Sequence, residues 1–189
     1  MTMPVIGLKH PVVAKYGVTA GGEVEYKDGK VMAKAIKADI KWTKADAVLY
    51  ADDDVDEELN SVINGTITEE INELSYDMQE YLLGHKKDES KEGNTLNADD
   101  NSIYVGHGFF APVIRNNVIK YRAVWLTKVK FSEPDETIEG KGEKPKIQSI
   151  SIEGSINKDV KGDIKKEEIC DTEAAAIQWL HTKAGISEE

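Results

Sequence analysis

The sequence predicts a mainly β chain: a sandwich or barrel of two packed antiparallel sheets, with one flanking helix and a second helix near the C-terminus. Three observations lead there. Apolar residues recur with period two over most of the chain, two long stretches pair across an Asn-Asn turn, and only two segments carry helix caps.

In chain order, Ile6, Leu8, Val12, Ala14 and Tyr16 fall on one parity of a first strand over 4–16. Asp28-Gly29 reads as a hairpin turn, after which Met32, Ile36, Ala38, Ile40 and Trp42 alternate with lysines and Asp39. Residues 43–58, with the run Asp52-Asp53-Asp54-Val55-Asp56-Glu57-Glu58, read as an acidic loop. Ile63, Gly65, Ile67 and Ile71 share a face within 62–74, as do Ile150, Ile152, Gly154 and Ile156 within 146–157. Such alternation is the mark of half-buried antiparallel strands.

Ser75 can cap a helix over 76–83, with Asp77 near its N-terminus and Gly84 as a left-handed stop. Residues 86–102 and 132–144 read as loops. Thr172 or Asp171 caps a last helix that ends at Gly185, with Ala176, Ile177, Leu180 and Ala184 as its apolar stripe. The division is therefore a β domain over 1–170, including the helix at 75–84, and a helical extension over 171–189.

The pair 103–115 and 118–131 is the most informative. Asparagine tolerates positive φ, so Asn116-Asn117 suits a two-residue type I′ turn, which sets Arg115 opposite Val118. Ile114 then meets Ile119, Phe110 meets Ala123, and Gly108 meets Trp125, leaving room for the indole. The other face mixes Phe109, Ala111, Val113, Val124 and Leu126 with Lys120, Arg122 and Lys128. A strand of about 14 residues spans roughly 46 Å, well beyond the usual length. Two partly apolar faces on so long a strand predict a cover from outside, with another subunit as the candidate. Pro112 belongs at an edge or a bulge.

Among 189 residues, Lys+Arg total 24 and Asp+Glu 35, for a net charge of −11. A surface of that sign repels nucleic acid and argues against a protein that grips DNA. Cys170 is the single cysteine, so neither an intrachain disulfide nor a cysteine-built metal site can form. The N-terminus lacks the pattern of a signal peptide and no run approaches a membrane span, so the chain is expected to be made in the cytoplasm with no membrane partner.

No pattern predicts catalysis or a cofactor. Gly106-His107-Gly108-Phe109-Phe110-Ala111 fits G-x-G-x-x-A, but Pro112 and a β-branched run follow where the dinucleotide motif needs a helix. Glycines making space in a sheet is the better reading. Asp52, Asp54 and Asp56 resemble the start of a calcium loop, yet Glu57 stands where the glycine must be. His10, His85, His107 and His181 lack metal-ligand spacing. Cys170, between Glu168 and Asp171, has its thiol pushed up rather than activated.

Particular strings resemble the major tail protein (tail tube protein) family of long-tailed, non-contractile phages. They are Val5-Ile6-Gly7-Leu8-Lys9 with Val13-Ala14-Lys15-Tyr16; Tyr50-Ala51-Asp52-Asp53; Leu82-Leu83-Gly84-His85; Tyr121 to Pro134; and Ile150-Ser151-Ile152-Glu153-Gly154. The resemblance implies two packed sheets with a flanking helix, related in fold to the type VI secretion tube protein. It implies six copies in a ring whose sheets join into an inner barrel, and rings stacked into a tube. DNA would pass through that tube without specific binding.

On this basis the acidic loop is expected to contact the next ring, through Trp42, Tyr50, Asp52, Asp53 and Asp54, with the two aromatics as anchors. Phe109, Val124 and Leu126 are the expected intra-ring interface. The implied partners are further copies of the chain, a tape-measure protein, a tail terminator and baseplate or distal tail proteins, and the implied location is the virion tail. Two other readings stand beside it: the tube protein of a phage-derived injection or secretion apparatus, and a monomeric β-sandwich binding module.

Overall fold

The computed structural model describes residues 7–51, 54–88, 90–115, 117–136 and 149–187. Its strands are β1 (Lys9–Val18), β2 (Val24–Val31), β3 (Ala35–Ala51), β4 (Asp54–Ile71), β5 (Lys86–Lys87), β6 (Asn94–Thr95), β7 (Tyr104–Arg115), β8 (Val118–Phe131), β9 (Ile150–Asn157) and β10 (Lys165–Cys170); α1 (Tyr76–Leu83) and α2 (Glu173–Ala184) are the helices. The chain is mainly β, as the period-two pattern predicts.

The main sheet is antiparallel, in the order β2-β1-β7-β8-β9-β4-β3. It forks at β8. Tyr121 to Leu126 pair with β10, and Lys128 to Phe131 pair with β9. Instead of two separate sheets, one sheet bends over at this fork. Phe109, Val124 and Leu126 from one limb thereby share a core with Ile67, Ile152 and Ile156 from the other.

That core is closed by α1, which buries Met78, Tyr81, Leu82 and Leu83. Ser75 Oγ accepts the Met78 N–H at 3.3 Å, and Gly84 ends the helix at φ 84°. The opposite face of β1, β7 and β8 carries Val12, Ala14, Phe110, Ala123 and Trp125, covered by Ala176, Leu180 and Ala184 of α2. Thr172, not Asp171, caps α2: its hydroxyl accepts the Ala175 N–H at 3.1 Å. The sheet is therefore dry on both faces where β1, β7 and β8 meet. Val12, Val13 and Ala14 are consecutive and all fully buried for this reason.

The β7–β8 hairpin has the predicted register, with Arg115↔Val118, Ile114↔Ile119, Phe110↔Ala123 and Gly108↔Trp125. A Cβ on Gly108 would stand 2.5 Å from Trp125 Cε3, so the indole lies in the space the glycine leaves. Pro112 sits beyond the last pair that β7 makes with β1, Lys9↔Phe110, where its missing N–H leaves no ladder bond unmade.

Two expectations are corrected. Asp28-Gly29 is not a turn: β2 runs through it, with Lys15↔Lys27 and Val13↔Lys30 enclosing one extra residue. Asp28 takes φ 52°, so the same left-handed tolerance that suits a turn serves a bulge instead. The hairpin reversal lies at 19–23, where Gly22 N–H donates to Thr19 O. Residues 43–58 are not a loop. The backbone is strand up to Ala51 and again from Asp54, in one continuous β3–β4 ladder.

Candidate functional site: an assembly surface

The β3–β4 ladder runs from Ala35↔Ile71 to Ala51↔Asp54. Strand β9 supports β4 only from Gly65 to Ile71. Beyond Gly65 the two strands pair only with each other among the described residues. The unsupported part of β4, Asp54 to Asn64, projects roughly 35 Å as a two-stranded arm. A two-stranded ribbon is marginal in water by itself, and among the described residues no third strand or helix pairs with this one.

At the root of the arm, Trp42 pairs with Gly65. A Cβ on Gly65 would meet Trp42 Cε3 at 2.7 Å, so this glycine lets the indole lie flat across β4. Trp42 is half-buried against the main core, and Lys165 Nζ stands 5.5 Å from its ring centroid. Trp42 thus anchors the root of the arm to its own chain. Tyr50 and Asp54 fall on the far end of the ladder, in the pairs Tyr50↔Val55 and Ala51↔Asp54. Asp52 and Asp53 lie outside the described residues.

The expected intra-ring residues are also corrected. Phe109, Val124 and Leu126 are 7, 5 and 0 % exposed. The bend at β8 folds β3 over them, so they are core of one chain and not an open face. Beside them is a groove of about 400 Å³ whose walls include Ile36, Ile40, Trp42, Phe109 and Val124, with Arg122 and Glu167 paired at its rim. Ile36 is 55 % exposed. Apolar surface is exposed again at the β7–β8 tip, in Ile114, Val118 and Ile119, and on the arm in Val62 and Ile63. In the sheet order β3 and β2 are the outermost strands, so among the described residues the outer edge of β3 has no partner strand and offers its backbone groups to an incoming one.

The candidate chemical groups are placed as structural parts. His107 is fully buried, with Nδ1 3.1 Å from the Val12 carbonyl oxygen and Nε2 3.2 Å from Glu69 Oε2. His85 Nε2 meets Glu133 at 2.8 Å and its Nδ1 meets Asn94 at 2.9 Å, which joins α1, β6 and the end of β8. Burial pushes the Cys170 thiol up, aided by Glu168 and Asp171. Among the described residues no group of three or more His, Cys, Asp or Glu could hold a metal ion, and no helix is long and apolar enough to cross a membrane.

Sequence reasoning missed the arm because its acidic residues read as solvated loop, although Ala47-Val48-Leu49-Tyr50 is a strand-like run. It also missed Glu69, which shares the parity of Gly65, Ile67 and Ile71; a carboxylate inside that period was the available signal. Comparison with models of known protein families gives no match, and no curated protein sequence matches the chain.

Proposed function

We propose that the chain is a structural subunit that assembles with its own copies into stacked rings, forming the tail tube of a long-tailed phage. The observation that carries this reading is the β3–β4 arm, a ribbon that leaves the body of the protein and, among the described residues, pairs only with itself. A second copy supplies the missing surface. The free outer edge of β3 supports the same reading, since joining edges around a ring removes them. The sequence resemblance adds the particular assembly: six subunits per ring, a tape-measure protein within, and a terminator and distal tail proteins at the ends. With a net charge of −11 per subunit, assembly rests on buried apolar area and local complementarity, and a carboxylate-rich conduit lets DNA slide without being held. The role is structural, with no catalytic step.

Negative-stain electron microscopy of the concentrated protein tests this. Rings or tubes with a central channel are the expected result. Discrete particles at every concentration, together with saturable binding of a small ligand in the groove beside Trp42, would turn the assignment to the β-sandwich binding module.

A further inference from the structure

Helix α2 covers Phe110 and Trp125 with the buried residues Ala176, Leu180 and Ala184, and with Ile177 and Trp179 half-buried beside them. At the seam with β1, Nε2 of His10 lies 2.9 Å from Nε2 of His181. The rings are 5.1 Å apart and tilted, and His10 also packs against Phe110 of β7. His10 holds φ 57° beside a bulge in β1, a backbone state that the surrounding packing must enforce.

A nitrogen–nitrogen contact of this length needs one donor and one acceptor, so at least one imidazole must be neutral. When both rings are charged, both nitrogens are donors and two cations stand in contact. The neighbouring charges do not absorb the second one. Glu173 of α2 faces His10, but it is already paired with Lys9 of β1 at 3.0 Å. The nearby group from β7 is the uncharged Phe110. Nδ1 of His181 is buried and finds no hydrogen-bond partner among the described residues.

We propose that the His10–His181 contact is an acid-sensitive latch, and that protonating both rings releases α2 from the sheet while the β body stays folded. Burial, and then the charge of His181, hold the His10 imidazole below its ordinary value of 6.5, with Glu173 opposing. The closed state therefore takes up that proton less readily than the open one. The stabilisation from the contact is complete above about pH 6.5 and is lost as pH falls below it. Opening uncovers Phe110, Trp125 and the buried Cys170, all part of the surface that α2 seals.

Cys170 reports the event. Its reaction with 4,4′-dithiodipyridine, normalised to a free cysteine peptide, is followed between about pH 7.5 and 5.5, the range in which histidine changes charge. In the wild-type protein, protection is expected to fall several-fold across this range, up to the roughly tenfold that one histidine of ordinary value 6.5 can supply as pH drops to about 5.5. In His181→Gln, which keeps a hydrogen-bonding partner but adds no second cation, the loss should be clearly smaller, reduced to what the burial of His10 alone causes. No loss in the wild type, or an equal loss in His181→Gln, overturns the latch. If His181→Gln is not folded at neutral pH by circular dichroism, His10→Gln replaces it under the same criteria. Wild-type NMR gives an independent answer. Titration of His10 should coincide with loss of amide protection in α2 while β7 and β8 stay protected; simultaneous loss everywhere, or none in α2, overturns the proposal.

Discussion

The carboxylate of Glu69 lies 3.2 Å from Nε2 of His107, and both side chains are completely buried. Glu69 belongs to β4 and His107 to β7, strands separated by β8 and β9 in the sheet order, so the contact crosses the interior where the sheet bends over itself. The groups are close but poorly aligned: neither Glu69 oxygen nor His107 Nε2 completes a well-directed hydrogen bond. Removing one partner strands the other in an apolar core. Glu69→Ala or His107→Ala should each cost about 3–5 kcal/mol, read from urea unfolding. The double replacement Glu69→Met with His107→Leu should recover most of that loss, because it removes both desolvated groups at roughly constant volume. Additive losses in the double variant would show that packing, not polarity, sets the cost.

Gly108 permits the close approach of three elements. An added Cβ would meet Trp125 Cε3 at 2.5 Å, Leu180 Cδ2 at 2.7 Å and the Val124 carbonyl oxygen at 3.0 Å. Gly108→Ala should therefore destabilise the protein by about 1–3 kcal/mol through overpacking. Gly21→Ala is the control, because its nearest neighbour is Thr19 Oγ1 at 3.8 Å. Equal melting temperatures for the two variants would contradict the packing argument.

The parts of the fold that were legible in the sequence are those fixed by local chemistry. The two-residue spacing between Arg115 and Val118 predicts the β7–β8 register as far as His107↔Leu126, and Ser75, Gly84 and Gly185 bound the helices. Features decided by tertiary context were not. Asp28-Gly29 carries the chemistry of both a turn and a bulge, and the bulge prevails because Gly29 lies against α2: a Cβ there would come 2.3 Å from the Ala184 carbonyl oxygen. The mixed face of Phe109, Val124 and Leu126 signalled a cover, but composition cannot tell a neighbouring subunit from the chain's own β3 bent over it. The arm was hidden because a dense run of charges in a strand looks the same in sequence as one in a loop.

Tyr26 and Tyr81 give a pH dependence of opposite sense to the histidine latch. Tyr26 donates its hydroxyl hydrogen to Thr127 O at 2.8 Å, and Tyr81 to Asp28 O at 2.7 Å. Burial pushes both phenols up to about 12 from the ordinary 10. The unfolded chain ionises first, so their contribution is whole below pH 10 and is lost as pH rises from 10 towards 12. Tyr26→Phe should lower stability at neutral pH by about 0.5–1.5 kcal/mol, for the lost hydrogen bond, and flatten the decline above pH 10. Urea unfolding across that range measures both. A decline as steep as in the wild type would show that Tyr26 does not contribute to it.

Removal of the arm separates folding from assembly. The described core residues lie outside 46–57, and the pair Ala45↔Ser61 precedes the part to be removed. Strand β9 still supports β4 from Gly65 to Ile71, and Trp42 still seals the root of the hairpin against Gly65. A chain lacking 46–57 should therefore keep its circular dichroism spectrum and a melting temperature within a few degrees, since about 1 kcal/mol moves a domain of this size by roughly 2–4 °C. It should also lose the capacity to form tubes, because the ribbon that reaches beyond the body is gone. Tubes of normal appearance from the shortened chain would refute the role of the arm and move the contact between copies to the free edge of β3 and the exposed tip at Ile114, Val118 and Ile119.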